Sequence, residues 1–208
     1  TVVGESTPEA LALGLGTKPD FRRLFAEVKL EEPKGPVLHA QLADIVERLS
    51  YEANRELILP DNVRDYLISL ADSFTAGVAF PGKTVPILRG AIALLPADQI
   101  GPAEITSDLL VQSVAQRTGL PAWLLEDKSP LDLARAHDFF HQHVVGQDEP
   151  LKAMVDLITM IKAGLTDPTR PLGVFLFIGP TGVGKTELAK SLAEFVFGSR
   201  ERLVRIDM

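Results

Sequence analysis

The sequence predicts an α/β fold with a helical subdomain, and two patterns along its 208 residues lead to this prediction. The first is a continuous apolar run at 174–178, which is followed by a glycine-rich turn, a helical stripe and a strand-like run at 203–206. An apolar run without alternation is typical of a strand buried on both faces, and strand, turn, helix and strand in this order form a parallel crossover. The second pattern is the helical periodicity of the segments that precede this unit.

Helical periodicity predicts a small bundle upstream of the crossover. Apolar residues recur at helical spacing in four segments, namely Leu38–Leu49, Val63–Phe74, Val85–Leu95 and a helix that is capped by Thr106 and ended by Gly119. Ser129-Pro130 is predicted to open a further helix towards Phe140, and Leu151–Ile161 carries the next apolar stripe. We therefore expect a helical subdomain that leads into the parallel strands.

Composition limits the classes of function. Acidic residues outnumber basic ones 28 to 21, which leaves a net charge of -7, so we expect no nucleic-acid partner. The sequence contains no cysteine, which excludes disulfides and thiolate metal sites and favours a reducing, cytoplasmic location. Its longest apolar run is too short to span a bilayer, so we expect no membrane partner.

One motif carries identifiable chemistry. Gly179-Pro-Thr-Gly-Val-Gly-Lys-Thr186 matches the pattern G-x-x-x-x-G-K-[ST]. Gly179 and Gly184 are predicted to supply backbone angles closed to other residues, and Gly182 to let the chain bend closely round a phosphate. The backbone amides would then form an anion-binding hollow at the start of a helix. Lys185 would reach the β- and γ-phosphates of ATP, and the Thr186 hydroxyl would ligate Mg²⁺.

The predicted phosphate-binding part of the nucleotide site is contiguous in sequence. It comprises Gly179, Pro180, Thr181, Gly182, Val183, Gly184, Lys185, Thr186 and Glu187. The alternative is a glycine-rich turn without a ligand, but a buried strand before the motif and an amphipathic helix behind it favour nucleotide binding. Hydrolysis also requires an acidic metal ligand on a neighbouring strand and a carboxylate that orients water. Asp207 has no acidic partner and is interpreted as structural, so we expect this chain to lack ATPase activity.

Several stretches around the motif resemble the second ATPase module of Clp-type, two-module AAA+ unfoldases and disaggregases. These stretches are 144–149 (VVGQDE), 163–168 (AGLTDP), 170–173 (RPLG), 175–190 (FLFIGPTGVGKTELAK) and 203–208 (LVRIDM). The segment 105–121 resembles the region that precedes this module. Upstream, 2–8 is similar to the sensor-1 strand of the family's first module, and 21–33 is similar to its paired arginine-finger helix.

The resemblance implies a partial P-loop AAA+ core preceded by an AAA+ helical lid. It divides the chain into the C-terminal part of a first core at 1–33, its lid at 34–100, a linker at 101–130 and the N-terminal part of a second core at 131–208. Strand-like runs at Thr1–Val3 and Leu203–Ile206 lead us to expect a piece of a longer protein.

The resemblance also assigns roles to residues outside the motif. Thr7 would sense the γ-phosphate in the first module, and Arg22 and Arg23 would reach the ATP of a neighbouring subunit. The adenine pocket would be lined by Val144, Val145 and Gly146. Each assignment has a simpler alternative, which is a turn or cap residue for Thr7, a solvated helix face for the two arginines and a hydrophobic entry to a helix for 144–146.

The function implied by the resemblance is that of a hexamer that couples ATP hydrolysis to the remodelling of protein substrates, with ATP and Mg²⁺ as cofactors. A partner protease is a further expected partner. No long coiled-coil insertion interrupts 34–128, which argues against a chaperone-type disaggregase unless the insertion was removed. Two alternatives remain open at this point: an ATPase-deficient nucleotide-binding scaffold or secretion-system component of the same fold, and a P-loop kinase.

Histidine and tryptophan residues outside the motif receive structural interpretations. His137 and His141 lie one helical turn apart and His143 follows, but no further ligand completes a metal site in the sequence. The lone Trp123 is predicted to pack in the core of the linker region.

Overall fold

The computed structural model describes most of the chain. The described residues are 3–15, 18–96, 101–126, 131–144, 146–167 and 169–206. They form two compact units, residues 1–32 and residues 33–208, of which the second contains the glycine-rich motif. The predicted start at Ser129-Pro130 of the helix that runs towards Phe140, and the first two residues of the predicted strand Thr1–Val3, lie outside the described residues. Among the described residues, no helix combines the length and apolar character needed to cross a membrane.

The described residues of the first unit form two short helices, α1 (Pro8–Leu15) and α2 (Pro19–Arg22). Phe21 and Phe25 contact each other edge to face, with ring centroids 5.4 Å apart. Leu24 remains 76% exposed, so the apolar side chains of this unit lie largely on its surface.

The second unit begins with the predicted bundle, and all four predicted helices are present. They are α3 (Gly35–Glu52), α4 (Asp61–Phe74), α5 (Val85–Ala93) and α6 (Ser107–Thr118). The periodic apolar positions form the core, where Leu42, Leu67 and Leu88 are fully buried. Both predicted ends of α6 are confirmed, because Thr106 Oγ1 accepts from the Leu109 amide at 3.3 Å and Gly119 takes a left-handed φ of 74°.

A short parallel pairing in the bundle was not predicted from the sequence. Strand β1 (Leu57–Ile58) pairs with β2 (Ala103–Glu104), with Leu57 opposite Ala103. It is the only sheet found among the described residues. Each strand has two residues, which is too short for alternation of apolar and polar side chains to give a signal.

The remainder of the second unit surrounds the motif with helices α7 (Ala122–Leu125), α8 (Leu133–His143), α9 (Asp148–Lys162) and α10 (Lys185–Phe197). A short 3₁₀ helix, Arg200–Arg202, follows α10. An aromatic cluster, defined as Trp123, Phe139, Phe140 and Phe195, packs α7 and α8 against α10. Ring centroids lie 5.1 Å apart for Phe140 and Phe195 and 5.9 Å apart for Trp123 and Phe195. The prediction that Trp123 serves core packing is confirmed.

The run Val174–Ile178 forms neither a helix nor a paired strand among the described residues. Phe175 and Phe177 are half-buried and stack with centroids 5.8 Å apart, whereas Val174 and Leu176 are 84% and 83% exposed. The prediction of burial on both faces is therefore wrong for this structure, because Phe175 and Phe177 pack on the core whereas the described residues leave the opposite face exposed. The run at 203–206 is likewise unpaired within the described chain, with Ile206 80% exposed.

Candidate functional site

The glycine-rich motif forms a turn that leads directly into α10. Gly182 and Gly184 have φ values of 91° and 97°, in the left-handed region that favours glycine. Gly184 is the residue that immediately precedes α10, so the turn ends at the amino end of that helix. The turn and the helix start were both predicted, and this is the geometry in which backbone amides face an anion.

Gly179 differs from the prediction. Its φ lies outside the left-handed region, so a requirement for an unusual backbone angle is the wrong reason for glycine here. A Cβ at this position would lie 3.2 Å from Cγ2 of Val183, which is tighter than an ordinary van der Waals contact. The absence of a side chain at 179 therefore lets the two ends of the turn approach each other.

Lys185 is held inside the turn. Its Nζ donates to the carbonyl oxygens of Gly179 and Pro180, each at 2.7 Å. The positive charge therefore lies against the start of the loop and next to the first turn of α10. An ammonium group and a helix amino end at one place produce a positive potential that favours a polyphosphate.

The remaining motif residues lie on the surface of the turn or in the first helical turn. Pro180, Thr181, Val183 and Thr186 are exposed. The exposed Thr186 hydroxyl at the second position of α10 is free to turn towards a metal ion bound between phosphates. Among the described residues, no group of three or more histidine, cysteine, aspartate or glutamate side chains is arranged to hold a metal ion.

Glu187, the last predicted site residue, is bound by an arginine. Its Oε1 accepts from Nη1 of Arg200 at 2.6 Å, and Nε of the same guanidinium lies 2.5 Å from Oε2 of Glu194. Hydrogen bonds to Glu194 and then to Glu187 raise the pKa of Arg200 above its usual value. Arg200 is thirteen residues from Glu187 along the chain, and no local pattern in the sequence indicated this contact.

The segment predicted to line the adenine pocket lies beside the turn. Val144 is 5% exposed, and its Cγ1 lies 3.6 Å from where a Cβ of Gly184 would stand. Gly146 has a left-handed φ of 74°, while Val145 lies outside the described residues. The structure therefore brings Val144 to the predicted phosphate loop, although the two are forty residues apart in sequence.

A cleft next to Lys185 was not predicted. It has a volume of about 270 Å³, and Gln147, Leu176, Val183 and Lys185 are among its lining residues. Gln147 Nε2 also donates to the Val183 carbonyl oxygen at 3.4 Å, which ties the segment after Gly146 to the turn. Gln147 directly follows the predicted adenine segment, and its position was the only signal that could have indicated this role.

The three predicted residues of the first unit differ in their surroundings. Thr7 caps α1, since its Oγ1 accepts from the Ala10 amide at 3.2 Å. Arg22 forms a bidentate (forked) ion pair with Glu27, with Nε–Oε1 at 2.5 Å and Nη2–Oε2 at 2.9 Å. The side-chain hydrogen bond of this pair raises the pKa of Arg22 and lowers that of Glu27.

Arg23 is less constrained than Arg22. Its side chain is 82% exposed, and Asp20 Oδ1 lies 3.7 Å from its Nη1. A surface pair at this distance contributes little to holding a side chain in place. Of the two predicted finger residues, Arg23 is therefore the one whose guanidinium can reorient without breaking a forked pair.

The three histidines of α8 bind neighbours within the fold. Nε2 of His137 and Nε2 of His141 lie 3.0 Å apart, within hydrogen-bond distance. His143 Nδ1 lies 2.8 Å from the Phe139 carbonyl oxygen, and its Nε2 lies 3.6 Å from Glu194 Oε2. His143 thereby connects the end of α8 to the carboxylate that Arg200 also contacts.

Comparison with known proteins identifies relatives of this chain. A family model described as the AAA domain of the Cdc48 subfamily matches residues 170–208. The chain is 50% identical over 104 residues to the chaperone protein ClpB of Lactococcus lactis subsp. cremoris, which covers 50% of this chain and 12% of that relative. It is 42% identical over 137 residues to ClpB of Meiothermus ruber, which covers 61% of this chain and 16% of that relative. The chain thus spans only 12% to 16% of the length of these relatives.

Two solved structures show the fold of the chain. One is a closed-state cryo-EM reconstruction of Hsp104 with ATPγS and FITC casein, with a TM-score of 0.66 and 23% identity over 97% of this chain and 34% of that one. The other is an ADP complex of S. cerevisiae Hsp104, with a TM-score of 0.64 and 24% identity over 99% of this chain and 35% of that one. The predicted fold class, a partial AAA+ core with a helical lid, is confirmed.

Proposed function

We propose that this chain, which is homologous over part of its length to the ClpB and Hsp104 class of AAA+ chaperones, binds the polyphosphate of ATP at Gly179–Thr186. One observation carries the proposal. The motif forms a turn with left-handed Gly182 and Gly184 at the amino end of α10, and the Lys185 ammonium lies against that turn. A helix amino end and a lysine are the two elements that polyphosphate recognition requires.

Mg²⁺ and the adenine base complete the proposed site. We propose that Thr186 ligates Mg²⁺ between the phosphates, which its exposure at the start of α10 supports. Val144, Val145 and Gly146 are proposed to line the adenine side. The burial of Val144 beside Gly184 supports this assignment.

The function proposed for the whole protein is ATP-driven remodelling of protein substrates by a cytoplasmic hexamer. The named relatives are ClpB chaperones, and one similar Hsp104 structure was determined with casein. The homology favours this class over a P-loop kinase. It also outweighs the argument from the missing coiled-coil insertion, which concerned only the choice between a disaggregase and another unfoldase. Whether a protease partners this protein stays a prediction.

Calorimetric titration of the intact chain tests the proposed nucleotide site. We expect MgATP and MgADP to bind and adenosine to bind at least tenfold more weakly, because the turn supplies its contacts to the phosphates. Equal affinity for adenosine and MgATP would contradict a phosphate loop. An absence of binding by every ligand would remove the proposal for this chain altogether.

We further propose that Arg23 contacts the ATP of a neighbouring subunit and that Thr7 senses the γ-phosphate in the first module. The exposure of Arg23 supports its reach, whereas Arg22 is engaged by Glu27. ATP turnover by the full-length assembly should fall when Arg23 is replaced by alanine, because a guanidinium from the neighbour stabilises charge in the transition state. Unchanged turnover would assign the arginine to a solvated helix face.

A further inference from the structure

A single guanidinium pairs with the carboxylate in the first turn of the helix that follows the proposed phosphate site. Glu187 lies in the first turn of α10, two residues after Lys185, and its Oε1 is 2.6 Å from Arg200 Nη1. Arg200 lies in the 3₁₀ helix Arg200–Arg202, which follows α10 and packs back on it. The two side chains are 39% and 38% exposed, so neither is isolated from solvent.

Arg200 forms ion pairs with two carboxylates, those of Glu187 and Glu194. Its Nε contacts Glu194 Oε2 at 2.5 Å, and His143 Nε2 lies 3.6 Å from the same oxygen. Glu194 is seven residues after Glu187 on α10, so the guanidinium spans two turns of the helix. These two contacts hold the positive charge of Arg200 beside the first turns of α10, the helix that follows the phosphate loop.

The charge of Glu187 matters because of what the loop is proposed to bind. A carboxylate in the first turn stabilises the helix through its interaction with the helix dipole. The same carboxylate repels a polyphosphate that approaches the amino end of the helix. This repulsion acts through water over about a Debye length, so a counter-charge on the carboxylate reduces it. A guanidinium in a short ion pair with Glu187 supplies that counter-charge.

We propose that Arg200 is a positioning residue for nucleotide binding, which holds the Glu187 carboxylate and partly offsets its charge so that the phosphate loop keeps its attraction for polyphosphate. The inference rests on the proposed nucleotide site. It adds a tertiary requirement to the motif, because the residue that sets the electrostatics of the loop lies outside the pattern G-x-x-x-x-G-K-[ST]. A purely structural contact that pins the 3₁₀ helix to α10 is the alternative.

Ligand charge distinguishes the two explanations. The substitution Arg200→Gln should weaken binding of MgATP by the intact chain roughly three- to tenfold in low-salt buffer. The reason is that the negative charge of Glu187 near the phosphates then lacks its counter-charge. MgADP should lose less affinity and adenosine none. In the double variant Glu187→Gln/Arg200→Gln, affinity for MgATP should rise above that of Arg200→Gln, since the repelling charge is then absent.

Two matched variants complete the calorimetric experiment. Arg202→Gln removes the same charge from the same 3₁₀ helix, but within the described chain Arg202 has no ion pair within 4.0 Å. The Arg202→Gln variant should therefore bind MgATP like the wild type. Glu194→Gln/Arg200→Gln should not recover affinity, because Glu194 lies two turns from the loop.

Equal losses for all three ligands, failure of the Glu187→Gln rescue, or unchanged affinity in Arg200→Gln would overturn the inference while leaving the nucleotide site intact. A wild-type chain that binds no nucleotide would overturn both.

Discussion

Replacing Lys185 with alanine should weaken binding of MgATP to this chain by roughly ten- to hundredfold. The ammonium is a charged donor inside the turn, where Nζ contacts the Gly179 and Pro180 carbonyl oxygens at 2.7 Å. A hydrogen bond from a charged group to phosphate contributes about 1.5–3 kcal/mol, which corresponds to that loss of affinity. Isothermal titration calorimetry on the two chains measures it directly.

The same substitution should leave the stability of the fold almost unchanged. The carbonyl oxygens that Lys185 contacts belong to exposed residues, so water can replace the ammonium at a cost of less than about 1 kcal/mol. Thermal unfolding monitored by circular dichroism should therefore give nearly equal midpoints for the two chains. A large drop in midpoint would mean that lost affinity reflects unfolding and not a lost phosphate contact.

Lys190→Ala provides the matched control for Lys185→Ala. Both lysines lie on α10, and Lys190 is five residues further along the helix and outside the motif. Its removal changes the net charge equally but takes away no donor from the turn. Equal weakening by Lys185→Ala and Lys190→Ala would show that general charge, and not the lysine of the motif, governs binding.

The helices and the phosphate loop were predictable because their signals are local. Apolar spacing identified α3 and α4, and both helices bury the expected side chains, such as Leu42 and Leu67. A spacing of glycines before a lysine identified the turn, since left-handed backbone at Gly182 and Gly184 is a property of the residue itself. In both cases the sequence near a residue determines its conformation.

The burial of the run Val174–Ile178 was not predictable in the same way. Val174 and Phe175 are neighbours in one apolar stretch, yet Val174 is 84% exposed whereas Phe175 packs on the core. Composition indicates that a strand can be buried on both faces, but burial also requires a neighbouring strand to cover the second face. Among the described residues, one face of this run packs on the core and no strand pairs with it.

The contact between Arg200 and Glu187 was missed for a different reason. Charged residues on the surface are usually solvated, and only the return of the chain after α10 brings this arginine to the first turn of the helix. The separate states of Arg22 and Arg23 are a similar case. The two arginines look equivalent in the sequence, but in the structure Glu27 forms its ion pair with Arg22 and not with Arg23. Tertiary geometry therefore determines which charges near a site are available.

The burial of the aromatic cluster predicts the largest loss of stability. Replacing Phe140 with alanine should destabilise residues 33–208 by about 3–5 kcal/mol. Phe140 is fully buried on α8, and its ring lies 5.1 Å from that of Phe195 on α10 and 5.6 Å from that of Phe139. Removal of the ring leaves a cavity between two helices that cannot close without moving the helix behind the phosphate loop.

Urea unfolding monitored by tryptophan emission measures this loss. Trp123 is the only tryptophan, and its ring contacts Phe195 with centroids 5.9 Å apart, so its emission reports the environment of the aromatic cluster. We expect the midpoint to fall while the slope of the transition stays the same, because the substitution changes stability without changing the surface exposed on unfolding.

Phe197→Ala separates burial in the cluster from the loss of a phenyl ring in general. Phe197 is the last residue of α10 and is 41% exposed, so its replacement should cost less than about 1 kcal/mol. If the two variants lost equal stability, the cluster would not be what holds α8 against α10. The expected difference, in contrast, would mean that the orientation of α10, and with it the position of Lys185 at its amino end, depends on packing that lies outside the motif.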